Sequence, residues 1–484
     1  MIKDAKIFSY QTRLKSLDSS AEILDAFGTL YGSMERHLFC DLIDKKNINT
    51  LKSSYINKFG VTARCFNGCL RLLQGKIESI RQSRIGQIEN LKNRIKVLTK
   101  KIPRIKKHFV KHQKNRSLNH LIYRLDKLET EKKEGAVSLC FGGKKLYHAQ
   151  YNLKENNYSS QKEWKEDWTD ARSSEFFCIG SKDETGGNQS CVMTLSETGE
   201  GRLRLRLPHA LAQKHGKYVI IPVSFIHGKD QILKALASKQ ALSYRFKKDE
   251  KGWRVFVSFE HARAPVVTKE HIGAIGIDMN VDHIAVVETD AKGNPIDKKT
   301  IPLCTYGKRS DQAKALIGDV VKEIVLLAKE KEKPIIREEL DFTKKKATLR
   351  EDTAKRARML SSFHYSSFIE NLESKAFREG VFVGSVNPAF TSIIGKVKFA
   401  VRYGMSAHHS AALVIARRYY SFSENLSQCM VKVMHKQVHV TFPLPEWTRG
   451  KHVWTLWRKV GCKMKAVLVA RFLTSPDSRY CRSG

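Results

Sequence analysis

The chain has 484 residues, and 87 Lys and Arg against 49 Asp and Glu give it a formal net charge of +38 at pH 7. Its length predicts two or three domains, each with its own core, and a composition of 41% hydrophobic and 28% charged residues excludes a disordered tail or a fibre. A charge this large predicts a polyanionic partner, most often nucleic acid.

No apolar run reaches the roughly 18 residues of a membrane-spanning helix, and the N-terminus lacks the apolar core of a signal peptide. We therefore expect a cytoplasmic protein with no membrane partner.

The first element in the sequence is a strand, followed by a long helical segment. In residues 1–17, polar and apolar side chains alternate from Phe8 to Leu14, as they do along a strand with one buried face. Residues 18–135 then carry apolar side chains at three- and four-residue steps, which is the spacing of one helical face. Because Pro103 interrupts this pattern, we expect several helices packed antiparallel and not one long rod.

Within the helical segment, residues 92–116 carry eleven Lys or Arg and no acid. A solvated helix face is the ordinary alternative, but such faces normally mix both signs of charge. An unmixed block repels itself unless a polyanion lies along it, so we predict contact with phosphates here. The candidate residues are Lys100, Lys101, Arg104, Lys106 and Lys107.

Residues 136–264 change to a period of two, which predicts a series of strands. In residues 202–207, Arg and Leu alternate without exception, so one face of that strand should be wet and cationic. We expect residues 1–17 and 136–264 to form one small β-barrel, with residues 18–135 inserted into it as a helical domain. The candidate nucleic-acid contacts of this part are Arg202, Arg204 and Arg206.

Strands alternate with helices in residues 265–484, which predicts a mixed α/β domain with a basic C-terminal tail. Ten cysteines are scattered through the chain with no CxxC pair, so nothing in their spacing indicates a zinc site. Three tryptophans of the tail could stack on bases or pack against the domain core, and the sequence leaves both open: Trp447, Trp454 and Trp457.

Three polar residues of the α/β domain stand out from their surroundings. Asp278 lies in a strongly apolar strand, Glu338 ends another short strand, and His408 lies at the start of an alanine-rich helix. Taken separately these signals are weak, because acids at strand ends are common and paired histidines often cap helices. Together they could form a pocket for Mg²⁺ or Mn²⁺. Two such ions about 3.5–4 Å apart activate a water and stabilise the leaving oxygen of a phosphodiester.

The order of these motifs resembles the split RuvC nuclease domain of the TnpB family. The similarity covers residues 270–420 by motif: the strand with Asp278, then Glu338 with Glu339 and a Lys run, then residues 387–392 and the alanine-rich helix. It extends to the rest by architecture, as a multidomain α+β chain with a wedge-like β-barrel, an inserted helical recognition domain, and an α/β nuclease domain of the RNase H fold in residues 265–484.

TnpB proteins are transposon-encoded, RNA-guided DNA nucleases related to the type V CRISPR effectors. The resemblance therefore implies guide RNA and target double-stranded DNA as partners, and Mg²⁺ or Mn²⁺ as cofactor. It implies Asp278 and Glu338 as catalytic acids and metal ligands. The lysines after the second acid could line the nucleic-acid channel or belong to an ordinary surface: Lys344, Lys345 and Lys346.

Two features depart from the family pattern. His408 stands where the family usually has the third acid, and the CxxC pairs of a zinc ribbon are missing before it. We predict that His408 is a catalytic residue and metal ligand, since an imidazole can bind metal or act as a base. The alternative is a weakened or inactive nuclease that acts as an RNA-guided DNA-binding protein. An unguided resolvase or transposase would leave the large basic part of the chain without a role.

Overall fold

A computed structural model describes residues 5–14, 20–340, 365–426, 429–435, 438–446 and 452–473. The chain divides into two compact units, residues 1–262 (unit 1) and 263–484 (unit 2). Lys344, Lys345 and Lys346, which the sequence analysis proposes as nucleic-acid contacts, lie outside the described residues.

The strands of unit 1 form two antiparallel sheets. They are β1 (Ala5–Arg13), β2 (Glu175–Cys178), β3 (Cys191–Leu195), β4 (Glu200–Arg206), β5 (Tyr218–Ser224), β6 (Ser243–Asp249) and β7 (Gly252–Ala262). One sheet has the order β1-β7-β6-β2 and the other the order β3-β4-β5. The N-terminal strand pairs along its whole length with β7, from Ala5 opposite Ala262 to Arg13 opposite Arg254. The helical segment therefore lies, in sequence, between two strands that are neighbours in one sheet.

Both sheets of unit 1 contribute to a single core that also includes the first three helices. The helices are α1 (Ser20–Ile43), α2 (Ile48–Phe59), α3 (Ala63–Lys101), α4 (His108–Glu134), α5 (Lys144–Ala149), α6 (Gln161–Arg172), α7 (His209–His215) and α8 (Lys229–Ala237). Phe176 is stacked between Phe27 and Phe246, with ring centroids 4.4 and 4.6 Å apart. The two sheets share this core, but no ladder between described strands joins them, so a closed barrel stays a prediction.

The far half of α3 pairs with α4 as a helical hairpin. A small apolar cluster that includes Leu91, Leu98 and Leu121 holds the two helices together, and a single turn of 3₁₀-helix containing Pro103 connects them. Near the base of the hairpin, Lys92 Nζ forms an ion pair of 2.7 Å with Glu129 on α4. The basic residues around Pro103 instead lie at the tip.

Unit 2 is built on one mixed sheet with helices on both faces. Its strands are β8 (Ile275–Met279), β9 (His283–Thr289), β10 (Pro295–Pro302), β11 (Ile335–Glu338), β12 (Val383–Val386), β13 (Met430–His435) and β14 (Val438–Pro443). The main sheet has the order β10-β9-β8-β11-β12. Strands β8, β11 and β12 run parallel, β9 runs antiparallel to both of its neighbours, β8 and β10, and β13 and β14 form a separate hairpin. The mixed α/β class predicted for this part is confirmed.

The helices of unit 2 are α9 (Ser310–Glu330), α10 (Tyr365–Glu379), α11 (Thr391–Ile394), α12 (Ala407–Tyr419) and α13 (Val453–Leu473). Of these, α9, α10 and α12 pack on the two faces of the main sheet. One face packs Ile277 of β8 against Ile324 of α9 and Phe368 of α10. The other face packs Ile336 of β11 against Ile415 of α12. Since β8 and β11 are parallel, their carboxyl ends meet at one edge of the sheet.

None of the described helices of either unit combines the length and the apolar character needed to cross a membrane.

Candidate active site

Asp278 lies near the carboxyl end of β8, on the face that α12 covers. Along this strand, Ile275 and Ile277 face the core formed with α9 and α10, so the residues between and after them face the opposite side. The Asp278 side chain is only 12% exposed. A carboxylate at such a position costs free energy unless hydrogen bonds or a cation compensate it.

Gly276 lets α12 approach the strand closely. A Cβ added at this position would lie 2.1 Å from the carbonyl oxygen of Ala412 on α12, which no real side chain tolerates. The absence of a side chain on Gly276 therefore fixes the distance between the two elements. As a consequence, the first turn of α12 reaches the end of β8 and the Asp278 side chain.

The first turn of α12 carries His408 to Asp278. Ser406 caps this helix, because its hydroxyl accepts a hydrogen bond of 3.1 Å from the backbone nitrogen of His409. The Nδ1 atom of His408 lies 2.9 Å from Asp278 Oδ2, and its Nε2 atom lies 3.0 Å from the side-chain nitrogen of Asn280. An amide nitrogen only donates, so Nε2 accepts and Nδ1–H donates to the carboxylate.

His409, the next residue, points to a different place. Its Nε2 lies 3.1 Å from the hydroxyl of Thr300 on β10, and its Nδ1 lies 2.9 Å from the hydroxyl of Ser406. Burial lowers the pKa of His409. Of the two neighbouring histidines, therefore, only His408 contacts the predicted catalytic acid.

Glu338 ends β11 at the level of Asp278. The parallel register pairs Ile335 with Ile275 and Ile336 with Gly276, and two further residues along each strand give Glu338 and Asp278. Glu338 also lies on the same face as Ile336, which packs on α12. The two acids thus occupy equivalent positions at the ends of neighbouring strands.

Two residues that sequence reasoning did not single out help to hold Glu338. Thr391 donates a hydrogen bond of 2.5 Å from its hydroxyl to Glu338 Oε1, and it is 2% exposed. Arg418 on α12 donates to the backbone oxygens of Asn387 and Ala389, in the loop that leads to Thr391. Thr391 belongs to the motif of residues 387–392, but nothing in the sequence indicated that its hydroxyl contacts Glu338.

The electrostatics of the site show that the two acids share one environment. Burial, together with the charges of Asp278 and Glu338, raises the pKa of Tyr365 to about 12. Tyr365 opens α10, and no sequence pattern marked it. The hydrogen bond with Asp278 raises the pKa of His408, although burial opposes this. Burial lowers the pKa of Arg418, and the charge of Glu338 acts against that shift.

The donor set fits a hard divalent cation that keeps part of its water. Asp278 and Glu338 place two carboxylates at equivalent positions on neighbouring strands, and Mg²⁺ commonly binds through one or two carboxylates plus substrate phosphate. Within the described ranges, no group of three or more His, Cys, Asp or Glu side chains is arranged to hold a metal ion. Both nitrogens of His408 are engaged, by Asp278 and Asn280, so its role as a ligand stays a prediction.

The other predicted nucleic-acid contacts lie on the surface of unit 1. The hairpin-tip residues are exposed apart from Lys101, which is half-buried: Lys100, Lys101, Arg104, Lys106 and Lys107. On β4, Leu203 and Leu205 are buried while Arg202 and Arg204 are exposed and Arg206 is half-buried. The Arg204 guanidinium lies 5.0 Å from the ring centre of Tyr218 on β5.

In the C-terminal tail of unit 2, Trp457 is fully buried and its indole nitrogen donates to the backbone oxygen of Glu424. Of the two interpretations of this tryptophan, the structure supports packing in the core. Trp447 lies outside the described residues, and Trp454 is half-buried.

No protein-family model matches the sequence, and the comparison with curated proteins gives no match. Among solved structures, the chain is similar to Cas12f1 in a cryo-EM complex with sgRNA and target DNA, with 13% identity over 86% of this chain and 99% of that chain, at a TM-score of 0.36. It is similar to Cas12f in a ternary complex, with 10% identity over 85% of this chain and 98% of that chain, at a TM-score of 0.22. It is also similar to T. thermophilus RuvC in complex with a Holliday junction substrate, with 17% identity over 31% of this chain and 95% of that chain, at a TM-score of 0.22.

We expect Gly276→Ala to disturb the site through packing alone. The new methyl group meets the backbone of α12. Overpacking of this kind typically costs about 1–3 kcal/mol, and we expect the free energy of unfolding of unit 2 to fall by about 3 kcal/mol. Gly318→Ala is the matched control, because Gly318 lies within α9 and has open space at its Cβ position; it should raise stability by about 0.5–1 kcal/mol. Urea unfolding of the two variants checks this, and equal stability would contradict the packing argument.

Proposed function

We propose that this protein is an RNA-guided DNA endonuclease that hydrolyses phosphodiester bonds with the help of divalent metal ions. The observation that carries the proposal is the placement of Asp278 and Glu338 at the same level of neighbouring parallel strands, with the imidazole of His408 on the first acid. The large positive charge of the chain supports nucleic acid as the substrate and partner.

In this proposal, Asp278 and Glu338 hold Mg²⁺ or Mn²⁺. When bound, the ions supply an activated water and stabilise the charge that develops on the leaving oxygen. His408 positions the Asp278 carboxylate through its Nδ1–H, and its Nε2 accepts a proton once Asn280 turns away. Thr391 orients Glu338 in the same manner by its hydroxyl.

The rest of the chain would hold the nucleic acids. In the domain arrangement that we propose, residues 1–17 and 136–264 form a wedge-like domain, residues 18–135 a recognition domain, and residues 265–484 the RuvC-like nuclease. The hairpin tip and the arginines of β4 would contact the guide RNA and the guide–target heteroduplex through backbone charge. A short duplex motif beside the target would be read by side chains of these two domains.

One observation favours a second candidate, a guided DNA-binding protein with little nuclease activity. His408 already occupies Oδ2 of Asp278, and the hydrogen bond raises the pKa of the imidazole. A protonated imidazole at this position would compete with a metal ion for the carboxylate. Such a protein would still bind its target, because its basic surfaces lie elsewhere.

The first test concerns the guide. We expect the purified protein to retain one discrete RNA species through high salt, although individual phosphate contacts weaken steeply as salt rises. Sequencing of the copurified RNA measures this directly. A heterogeneous mixture of cellular RNA that washes off in salt would contradict a guided mechanism.

The second test separates cutting from binding. Asp278→Asn and Glu338→Gln each remove a negative metal ligand without changing the basic surfaces. With a reprogrammed guide, cleavage should fall by at least about 100-fold while target binding changes only a few-fold. Glu339→Gln is the matched control, because Glu339 is the exposed neighbour of Glu338; it should cut normally. Cleavage that survives Asp278→Asn with unchanged metal dependence would show that the acid is wrongly assigned.

The third test concerns the two histidines. His408→Ala should reduce cleavage by about 10- to 100-fold, the usual effect of removing a group that orients a metal ligand. His409→Ala should stay within about 2-fold, because its contacts are with Thr300 and Ser406. His408→Asp should retain cleavage with Mg²⁺, which prefers oxygen ligands. An inactive wild type together with an active His408→Asp variant would instead identify the DNA-binding alternative.

A further inference from the structure

A cleft of about 510 Å³ lies in unit 1, along the middle of α3. This volume is within the range of about 300–1,000 Å³ that is usual for small-molecule sites. Its apolar wall consists of Leu72 and Ile80 from α3, Leu139 from the segment after α4, and Phe177 from β2. Phe177 is half-buried, whereas the neighbouring Phe176 is part of the core. Leu72, Leu139 and Phe177 pack against the core of unit 1 without being fully buried, so the cleft lies at the surface of that core.

Gly75 keeps the cleft open on the helix side. It is an exposed residue within α3 that lines the cleft, and a Cβ added there would meet no atom within 4 Å. Neither close packing nor a positive φ requires glycine here. Glycine at this position leaves the helix side of the cleft free of a side chain.

The rim of the cleft carries a surplus of positive charge. Lys76 Nζ lies 2.7 Å from Glu35 Oε1 and 3.4 Å from Glu175 Oε2, and the Arg245 guanidinium also pairs with Glu175. These two cations are thus balanced by two carboxylates. Arg71, which also lines the cleft, is exposed and forms no ion pair with any described residue.

We propose that this cleft binds one unpaired nucleotide. Its base would lie against Phe177 and the aliphatic wall, and its phosphate would meet the Arg71 guanidinium. An aromatic ring accepts any base because every base has a π-face, and a guanidinium matches phosphate geometry. A purely apolar ligand would leave the positive rim unused, and an inorganic anion would leave the wall unused. The inference goes beyond the proposed function, since it concerns unit 1 alone and does not depend on DNA cleavage.

The probe is 2-aminopurine ribonucleoside 5′-monophosphate, whose fluorescence is quenched when the base stacks. The full chain, freed of copurified nucleic acid, should quench it. Gly75→Leu fills the cleft and should weaken binding by at least about tenfold. Gly86→Leu is the matched control: Gly86 is also exposed on α3 with open space at its Cβ, so both variants gain the same helix propensity. Equal binding by the two variants, or no quenching by the wild type, would overturn the proposal.

Further arms test the phosphate contact and identify the source of the nucleotide. Arg71→Gln should weaken binding of the monophosphate by about tenfold and leave binding of the nucleoside unchanged; an equal effect on both would refute the assigned orientation. A hairpin RNA with one bulged 2-aminopurine, compared with its fully paired form, distinguishes a nucleotide within RNA from a free one.

A second measurement uses the protein with its bound RNA. Ultraviolet crosslinking should give an adduct on the peptide that contains Phe177, lost in Gly75→Leu and kept in Gly86→Leu. An adduct that persists in Gly75→Leu would contradict occupation of the cleft.

Discussion

The contact between the buried carboxylate of Asp278 and the imidazole of His408 is the constraint on which the rest of unit 2 depends. The acid stands in a strand whose other side chains are apolar and whose neighbours, β9 and β11, pair with it on both sides. A carboxylate there is tolerated only if polar partners reach it. The partner arrives on α12, which can lie against the strand because Gly276 has no side chain.

The same contact decides the chemical character of the site. Two carboxylates at the end of a mixed sheet attract divalent cations, while the imidazole on the first carboxylate brings no negative charge of its own. Tyr365 and Arg418 lie in the field of the acids. Tyr365 stays neutral there, so of these two residues Arg418 is the one whose charge offsets that of the carboxylates. In the function proposed above, this balance would decide between hydrolysis and binding, and His408 would be the residue that sets it.

Unit 1 presents basic groups in three different settings. At the tip of the α3–α4 hairpin they are mostly exposed and lie next to one another in sequence. On β4 they alternate with buried leucines, and Arg204 lies beside the ring of Tyr218. In the cleft on α3 two of three cations are matched by carboxylates. The first setting suits a continuous backbone of phosphates, the second adds an aromatic surface, and the third suits a single anionic group beside an apolar wall.

Local patterns in the sequence carried much of the fold and the identity of the candidate acids. The alternation of Arg and Leu in residues 202–207 predicts the strand β4, and the apolar strand around Asp278 makes its carboxylate conspicuous. These features are visible because side-chain periodicity and the cost of burying charge are local properties. The register of β8 with β11, which places Glu338 level with Asp278, involves residues 60 positions apart and leaves no such trace.

The family resemblance selected His408 in the sequence, and the tertiary structure supplied the contacts that distinguish it from His409. Adjacent helical side chains point about 100° apart, so the two histidines meet different partners. Tyr365, which no motif marked, gained a place in the site from the position of α10, and the hydrogen bond of Thr391 to Glu338 became visible only in the structure. The sequence by itself determined the periodic elements, the excess of positive charge and the two conspicuous acids, since each of these follows from the composition and spacing of nearby residues. The tertiary structure decided which polar groups meet, because those contacts depend on strand register and on the close approach of α12 that Gly276 permits.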